Sequence, residues 1–159
     1  MIITWQGGKD FTLKTKGMNV VLADKCKLGD LEIDEPGEYE VGGVQLDWID
    51  GVKQVYLETL NIGHIQKGKV FTDEELEKLN GIDILLIGVG GGDFTETKTA
   101  LAVINQIDPS VIIPMYSGNI EEFIKEEGGS TEAEADLKIT KADLPVDGRR
   151  IVTLNAEHK

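Results

Sequence analysis

The run Ile82-Asp83-Ile84-Leu85-Leu86-Ile87-Gly88-Val89 is interrupted by a charge only at Asp83. A strand with one wet face alternates apolar and polar residues; a run like this belongs to a strand covered on both faces, at the centre of its sheet. The residues that follow change period. Ala100, Val103, Ile104 and Ile107 recur at helical spacing, so a helix over about 95–107 packs one side on that sheet, and Asp108-Pro109 ends it. A second buried strand follows at 111–115. Ahead of the central strand, Thr72-Asp73-Glu74-Glu75 forms a capping box with Phe71 and Leu76 as its hydrophobic staple, so a short helix occupies 73–79 before Asn80-Gly81. Asn119 with Glu122 caps a third helix that stops near Gly128-Gly129; 130–136 reads as an acidic loop, and 137–140 and 149–154 as closing strands.

The first half of the chain reads differently. Short β-rich runs at 2–5, 11–15 and 19–23 are separated by Gly7-Gly8 and Lys16-Gly17. An irregular polar stretch leads to further strands at 31–33, 38–41, 44–49 and 52–60. These are punctuated by Pro36-Gly37, Gly42-Gly43 and Asp50-Gly51, the last a signal for a type I′ hairpin turn. A β-rich front joined to strands alternating with helices gives an α/β domain. At 159 residues, with no repeat or low-complexity linker, residues 1–159 are expected to form one domain.

Composition narrows the function classes. Sixteen Lys and Arg against 29 Asp and Glu leave a net charge of −13, which repels a polyanion and argues against nucleic acid as a partner. No segment has the length and apolarity of a membrane span, and Met1-Ile2-Ile3-Thr4-Trp5 lacks the pattern of a secretory leader, so a cytoplasmic address is expected. The lone Cys26 fits a reducing compartment and is assigned no role. Two histidines and one cysteine are too few for an ordinary catalytic zinc site, which takes about three protein ligands.

The stretch Asp34-Glu35-Pro36-Gly37-Glu38-Tyr39-Glu40-Val41-Gly42-Gly43-Val44 resembles a signature of the metallo-β-lactamase superfamily, in its branch of Zn-dependent hydrolases related to L-ascorbate-6-phosphate lactonase. Further segments follow the family's order: Ile3-Thr4-Trp5-Gln6-Gly7, Phe71 to Leu76, the central run from Ile82, Ile112-Ile113-Pro114-Met115, and Ile139-Thr140-Lys141-Ala142-Asp143-Leu144-Pro145. The resemblance implies an αββα sandwich, here reduced in size. It also implies metal ligands, and these are missing. Where the family has Gly-His after the first strand, this chain has Gly7-Gly8. The family's Pro-Met-His is Pro114-Met115-Tyr116, and its Leu-Gly-Asp falls at Ile62-Gly63-His64. Only residues 24–33 separate the third strand from the Pro-Gly-Glu-Tyr motif, leaving no room for the H-x-H-x-D-H loop, and the insertion expected after Trp48 is reduced to Asp50-Gly51. The resemblance is therefore to a truncated form without the metal-binding motifs, in which Gly8 and Tyr116 mark a vestigial pocket and the Tyr116 ring fills it.

Other candidates carry plainer readings beside the functional ones. His64 and Asp24 are the nearest thing to metal ligands, but one imidazole does not hold a zinc, and His64 reads as a polar residue on a loop between strand and helix. His158 lies in a terminal tail. The turn containing Gly88, Gly90, Gly91 and Gly92 stands between a buried strand and a helix, where backbone N–H groups cradle phosphates in other folds. Asp93 places a negative charge there, and a tight strand-to-helix turn explains the same glycines. Ser117 and Ser130 lack a histidine partner in sequence context and read as loop residues. Glu38 and Glu40 share one face of a strand, as an acid–base pair or as a solvated edge.

Three functions compete on this reading. The first is a non-catalytic metallo-β-lactamase-fold protein acting as a binding or self-assembly module, with no cofactor and a homo-oligomer expected. The second is a metal-dependent hydrolase with a rebuilt or inter-subunit site. The third is a phosphate- or nucleotide-binding protein using the glycine turn.

Overall fold

A computed structural model describes residues 1–118, 120–130 and 132–156. The strands are β1 (Ile2–Gly7), β2 (Asp10–Lys14), β3 (Asn19–Leu22), β4 (Cys26–Leu28), β5 (Leu31–Ile33), β6 (Gly37–Val41), β7 (Val44–Ile49), β8 (Val52–Leu57), β9 (Leu60–Ile65), β10 (Ile84–Gly88), β11 (Val111–Met115), β12 (Leu137–Lys138) and β13 (Arg150–Ile151). The helices are α1 (Asp73–Glu77), α2 (Thr97–Ile107) and α3 (Glu121–Glu127). They build two sheets, one in the order β12-β1-β2-β3-β4-β5 and the other β13-β11-β10-β9-β8-β7-β6. The first is antiparallel throughout; in the second, β9, β10, β11 and β13 run parallel.

Side-chain alternation explains the layering. Ile3, Trp5, Phe11, Leu13, Val20 and Leu22 point from the first sheet into a core shared with Leu46, Val55, Ile62, Ile84, Leu86 and Ile113 of the second. The intervening residues Leu85, Ile87 and Ile112 face the other way, onto Ala100, Val103 and Ile104 of α2 and Phe123 of α3. Thus β10 contributes alternate residues to two cores, as its unbroken apolar sequence requires. The two sheets pack face to face, and α2 and α3 lie on the outer face of the second.

Several boundaries differ from the sequence reading. The polar stretch after Ala23 contains β4, whose Cys26 and Leu28 are both buried. The single strand expected over 52–60 is instead a hairpin that turns at Glu58-Thr59, with φ of 48° and 65°, and continues as β9. No Gly, Asn or Pro announces that turn. His64 consequently lies inside a strand and not on a loop. The Gly42-Gly43 pair carries the two positive φ values of a type I′ turn, 57° and 86°, whereas at Asp50-Gly51 the positive φ, 51°, falls on the aspartate alone. The Thr72–Glu75 capping box forms in full. Asn119, read as the cap of α3, and His158 lie outside the described residues.

Candidate functional site

Parallel strands of an α/β sheet place ligands beyond their carboxyl ends. Here the ends of β9, β10 and β11 bring His64, Gly88 and Tyr116 to one end of the sandwich, beside the β1–β2 turn at Gly8 and Lys9. Of the positions linked to lost ligands, Gly8, His64 and Tyr116 lie at this end and each is engaged by a neighbour, whereas Asp50-Gly51 lies at the tip of the β7–β8 hairpin.

Trp5, buried at the end of β1, organises one half. Its Nε1–H donates to the Gly8 carbonyl at 3.0 Å, its indole lies 4.9 Å from the Tyr116 ring, and it stacks on Phe11 at 6.4 Å. The Tyr116 hydroxyl reaches the Leu154 carbonyl at 3.4 Å, and burial raises its pKa. His64 organises the other half. Only 2% of its surface is exposed, its ring stands edge-on to Phe11 at 6.0 Å, and its Nε2 lies 2.7 Å from the Lys9 carbonyl. A carbonyl accepts only, so Nε2 carries the proton. Burial lowers the His64 pKa to about 4, with the nearby Lys53 ammonium adding to the shift and the Lys9 carbonyl opposing it. His64 is a neutral core residue whose one protonated nitrogen is committed to the backbone.

Asp24 does not join it. Its carboxylate is 84% exposed and pairs with the Lys9 ammonium at 3.2 Å. Lys53 donates to the Ala23 carbonyl and lies over the Trp48 ring, 4.4 Å from its centre. Cys26 is buried below, and its thiol contacts the same Ala23 carbonyl at 3.6 Å. Among the described residues no group of three or more His, Cys, Asp and Glu is placed to hold a metal ion. A catalytic zinc needs about three protein ligands, and the donors at this end do not supply them. No chemical step through a metal follows from these residues.

The glycine turn after β10 is built for close approach. A Cβ on Gly88 would sit 2.0 Å from the Gln66 carbonyl oxygen, so only glycine fits. Gly90, Gly91 and Gly92 have φ of 95°, 82° and 68° and open space around them. The turn is tied down from β9's extension: Lys67 donates to the Gly92 carbonyl at 2.9 Å, Gln66 to the Asp93 carbonyl at 3.1 Å, and the Gly91 amide to the Thr95 carbonyl at 3.0 Å. Glu38 and Glu40 are exposed on β6, an edge strand, in agreement with a solvated edge. Ser130 accepts from the Glu132 amide at 3.0 Å, a local loop role, and Ser117 is exposed. Sequence reasoning missed Trp5, Lys9, Phe11 and Lys53. Only the Trp48–Lys53 pairing was readable in advance, from the register set by the Asp50-Gly51 hairpin.

The β-lactamase superfamily domain matches residues 32–116 of this sequence, just over half the chain. The chain belongs to that superfamily. Solved structures of other proteins share its fold, among them three hydrolase-named chains. A protein of Thermotoga maritima, named as a Zn-dependent hydrolase of the metallo-β-lactamase superfamily, aligns at a TM-score of 0.79 and 24% identity over 98% of this chain and 100% of its own. A metallo hydrolase of the archaeon Ignicoccus hospitalis aligns at 0.64 and 12% identity, covering 98% and 96%. A protein of Parabacteroides distasonis named as a metal-dependent hydrolase gives 0.65 and 10%, covering 98% and 93%. No curated protein sequence matches. At these identities the likeness is one of fold, and the donor set of this chain stands on its own residues.

Proposed function

We propose that this chain is a non-catalytic member of the β-lactamase superfamily that uses the scaffold as a binding or self-assembly module. The observation that carries the reading is the packing of the sheet end. Tyr116 lies against Trp5, and His64 gives its protonated nitrogen to the Lys9 carbonyl, where the resemblance places metal ligands. His64 is buried and Tyr116 half-buried, and among the described residues no group of three or more His, Cys, Asp and Glu gathers around them, short of the about three protein ligands a zinc takes. Elemental analysis of protein purified without chelator tests the reading. Zinc, manganese and iron are expected well below one equivalent per chain. A stoichiometric metal, together with hydrolytic activity lost on chelation, would establish the rival hydrolase with a rebuilt or inter-subunit site.

Self-assembly is the second half of the proposal. The three-residue edge strand β5 leaves Leu31 42% exposed, and unpaired edges are where chains add to one another. A homo-oligomer follows, to be checked by mass in solution; a monomer persisting at high concentration removes this half. A phosphate- or nucleotide-binding role draws support from the open space around Gly90, Gly91 and Gly92. It predicts a thermal shift with nucleotides or sugar phosphates, and the absence of any shift ends it.

A further inference from the structure

The cavity with the clearest ligand character is not at the sheet end but beside α1. A space of about 280 Å³ lies between the tip of the β7–β8 hairpin, the segment leading out of β9, and α1 itself. Val52, Ile65, Phe71 and Leu79 give it an apolar floor. α1 does not fill this space, because it contributes no buried residue. The segment is held instead by its capping box and by Gln106, whose side-chain amide both accepts from the Phe71 N–H and donates to the Phe71 carbonyl, each at 2.8 Å. Val70, between two lining residues, leaves 52% of its surface in water, and Ile49 leaves 38%. Apolar surface of this kind beside an apolar cavity is the usual composition of a small-molecule site.

The charges at the mouth select the occupant. Across the chain, acids outnumber bases 29 to 16. Here three lysines, Lys67, Lys69 and Lys78, line the space against two acids, Asp50 and Glu75. Lys67 is engaged by the Gly92 carbonyl and Lys69 by Glu75 at 3.6 Å, whereas Lys78 has no ion pair among the described residues. One free ammonium above an apolar floor suits a single negative charge on an apolar body. A dianion would also face the carboxylates of Asp50 and Glu75. The volume holds a compound on the order of ten heavy atoms. The geometry points to a binding site for a small amphipathic monocarboxylate, with its apolar part on Ile65, Phe71 and Leu79 and its carboxylate at Lys78. This goes beyond the non-catalytic reading and does not depend on it, since the cavity lies on the helical side of the second sheet.

Octanoate titrated into the full chain tests the inference, followed by backbone amide shifts and by melting temperature. Saturable binding is expected, with shifts centred on Ile65, Phe71 and Leu79. The neutral isostere octanamide should bind about tenfold more weakly, as expected for losing one charge-assisted contact. Lys78→Gln, an exposed substitution, should weaken octanoate by a similar factor while leaving octanamide binding and the melting temperature of the free protein unchanged. Octyl phosphate preferred over octanoate would overturn the single-charge assignment. Absence of saturable binding, equal binding of octanoate and octanamide, or shifts centred on Tyr116 would overturn the site.

Discussion

The imidazole Nε2 of His64 donates to the Lys9 carbonyl at 2.7 Å, joining the end of β9 in one sheet to the β1–β2 turn of the other. Because burial holds the folded pKa at about 4 against an ordinary 6.5, the unfolded chain takes up the proton first. His64 therefore contributes stability above about pH 6.5 that is lost as pH falls toward 4, by an amount on the order of 3 kcal/mol. Urea denaturation across that window should show the decline in the natural chain and a flatter profile in His64→Gln. Parallel profiles for the two would show that the imidazole titrates normally.

Tyr116 should matter for its ring more than for its hydroxyl. Tyr116→Ala removes the partner of Trp5 and is expected to cost about 2–3 kcal/mol. Tyr116→Phe keeps the ring and loses a long 3.4 Å hydrogen bond, so its cost should stay below about 1 kcal/mol. Equal losses in the two variants, read by chemical denaturation, would assign the role to the hydroxyl instead.

The glycines after β10 divide into two kinds. Gly88→Ala forces a methyl against the Gln66 backbone and the Phe94 ring and should destabilise by about 3 kcal/mol or more. Gly92→Ala meets open space and only the cost of a positive φ, about 1 kcal/mol. Melting temperatures of the two variants would show the gap, and a Gly92→Ala loss as large as that of Gly88→Ala would contradict it.

Gln106 holds the entrance to α1 by a bidentate clamp on Phe71. Gln106→Ala leaves two backbone groups to find water and should cost about 1–2 kcal/mol. Its effect should be local: amide exchange should quicken through residues 71–79 while β10 and β11 keep their protection. Uniform quickening across the chain would mean that α1 is not a separable unit.

How far the sequence disclosed this arrangement depends on where its information lies. The boundaries of β11 and the character of β10 follow from unbroken apolar runs, and the Thr72–Glu75 box announces α1 by its spacing. The Glu58-Thr59 turn was hidden because both residues take a left-handed backbone conformation that their types do not advertise, and the misplacement of His64 came from that one turn. Gly8 and Tyr116 drew attention only through a family resemblance, which says nothing of what packs on them. Trp5, which touches both, and Phe11, which touches Trp5 and His64, did not, since nothing in a strand's alternation tells which inward residue reaches which partner across two sheets.

The aromatic packing around Trp5 also bears on the order in which the molecule assembles. Trp5 rests on Tyr116, far from it in sequence, whose hydroxyl reaches Leu154; β1 pairs with β12, and Gly7 closes on Ala156. Local hairpins from β2 to β9 can form during synthesis, while this end of the sandwich must wait for β12 and the residues around Leu154 to emerge. A nascent chain halted before residue 137 would hold a first sheet without β12 beside β1, and its open edge would fall to chaperones rather than neighbours to cover.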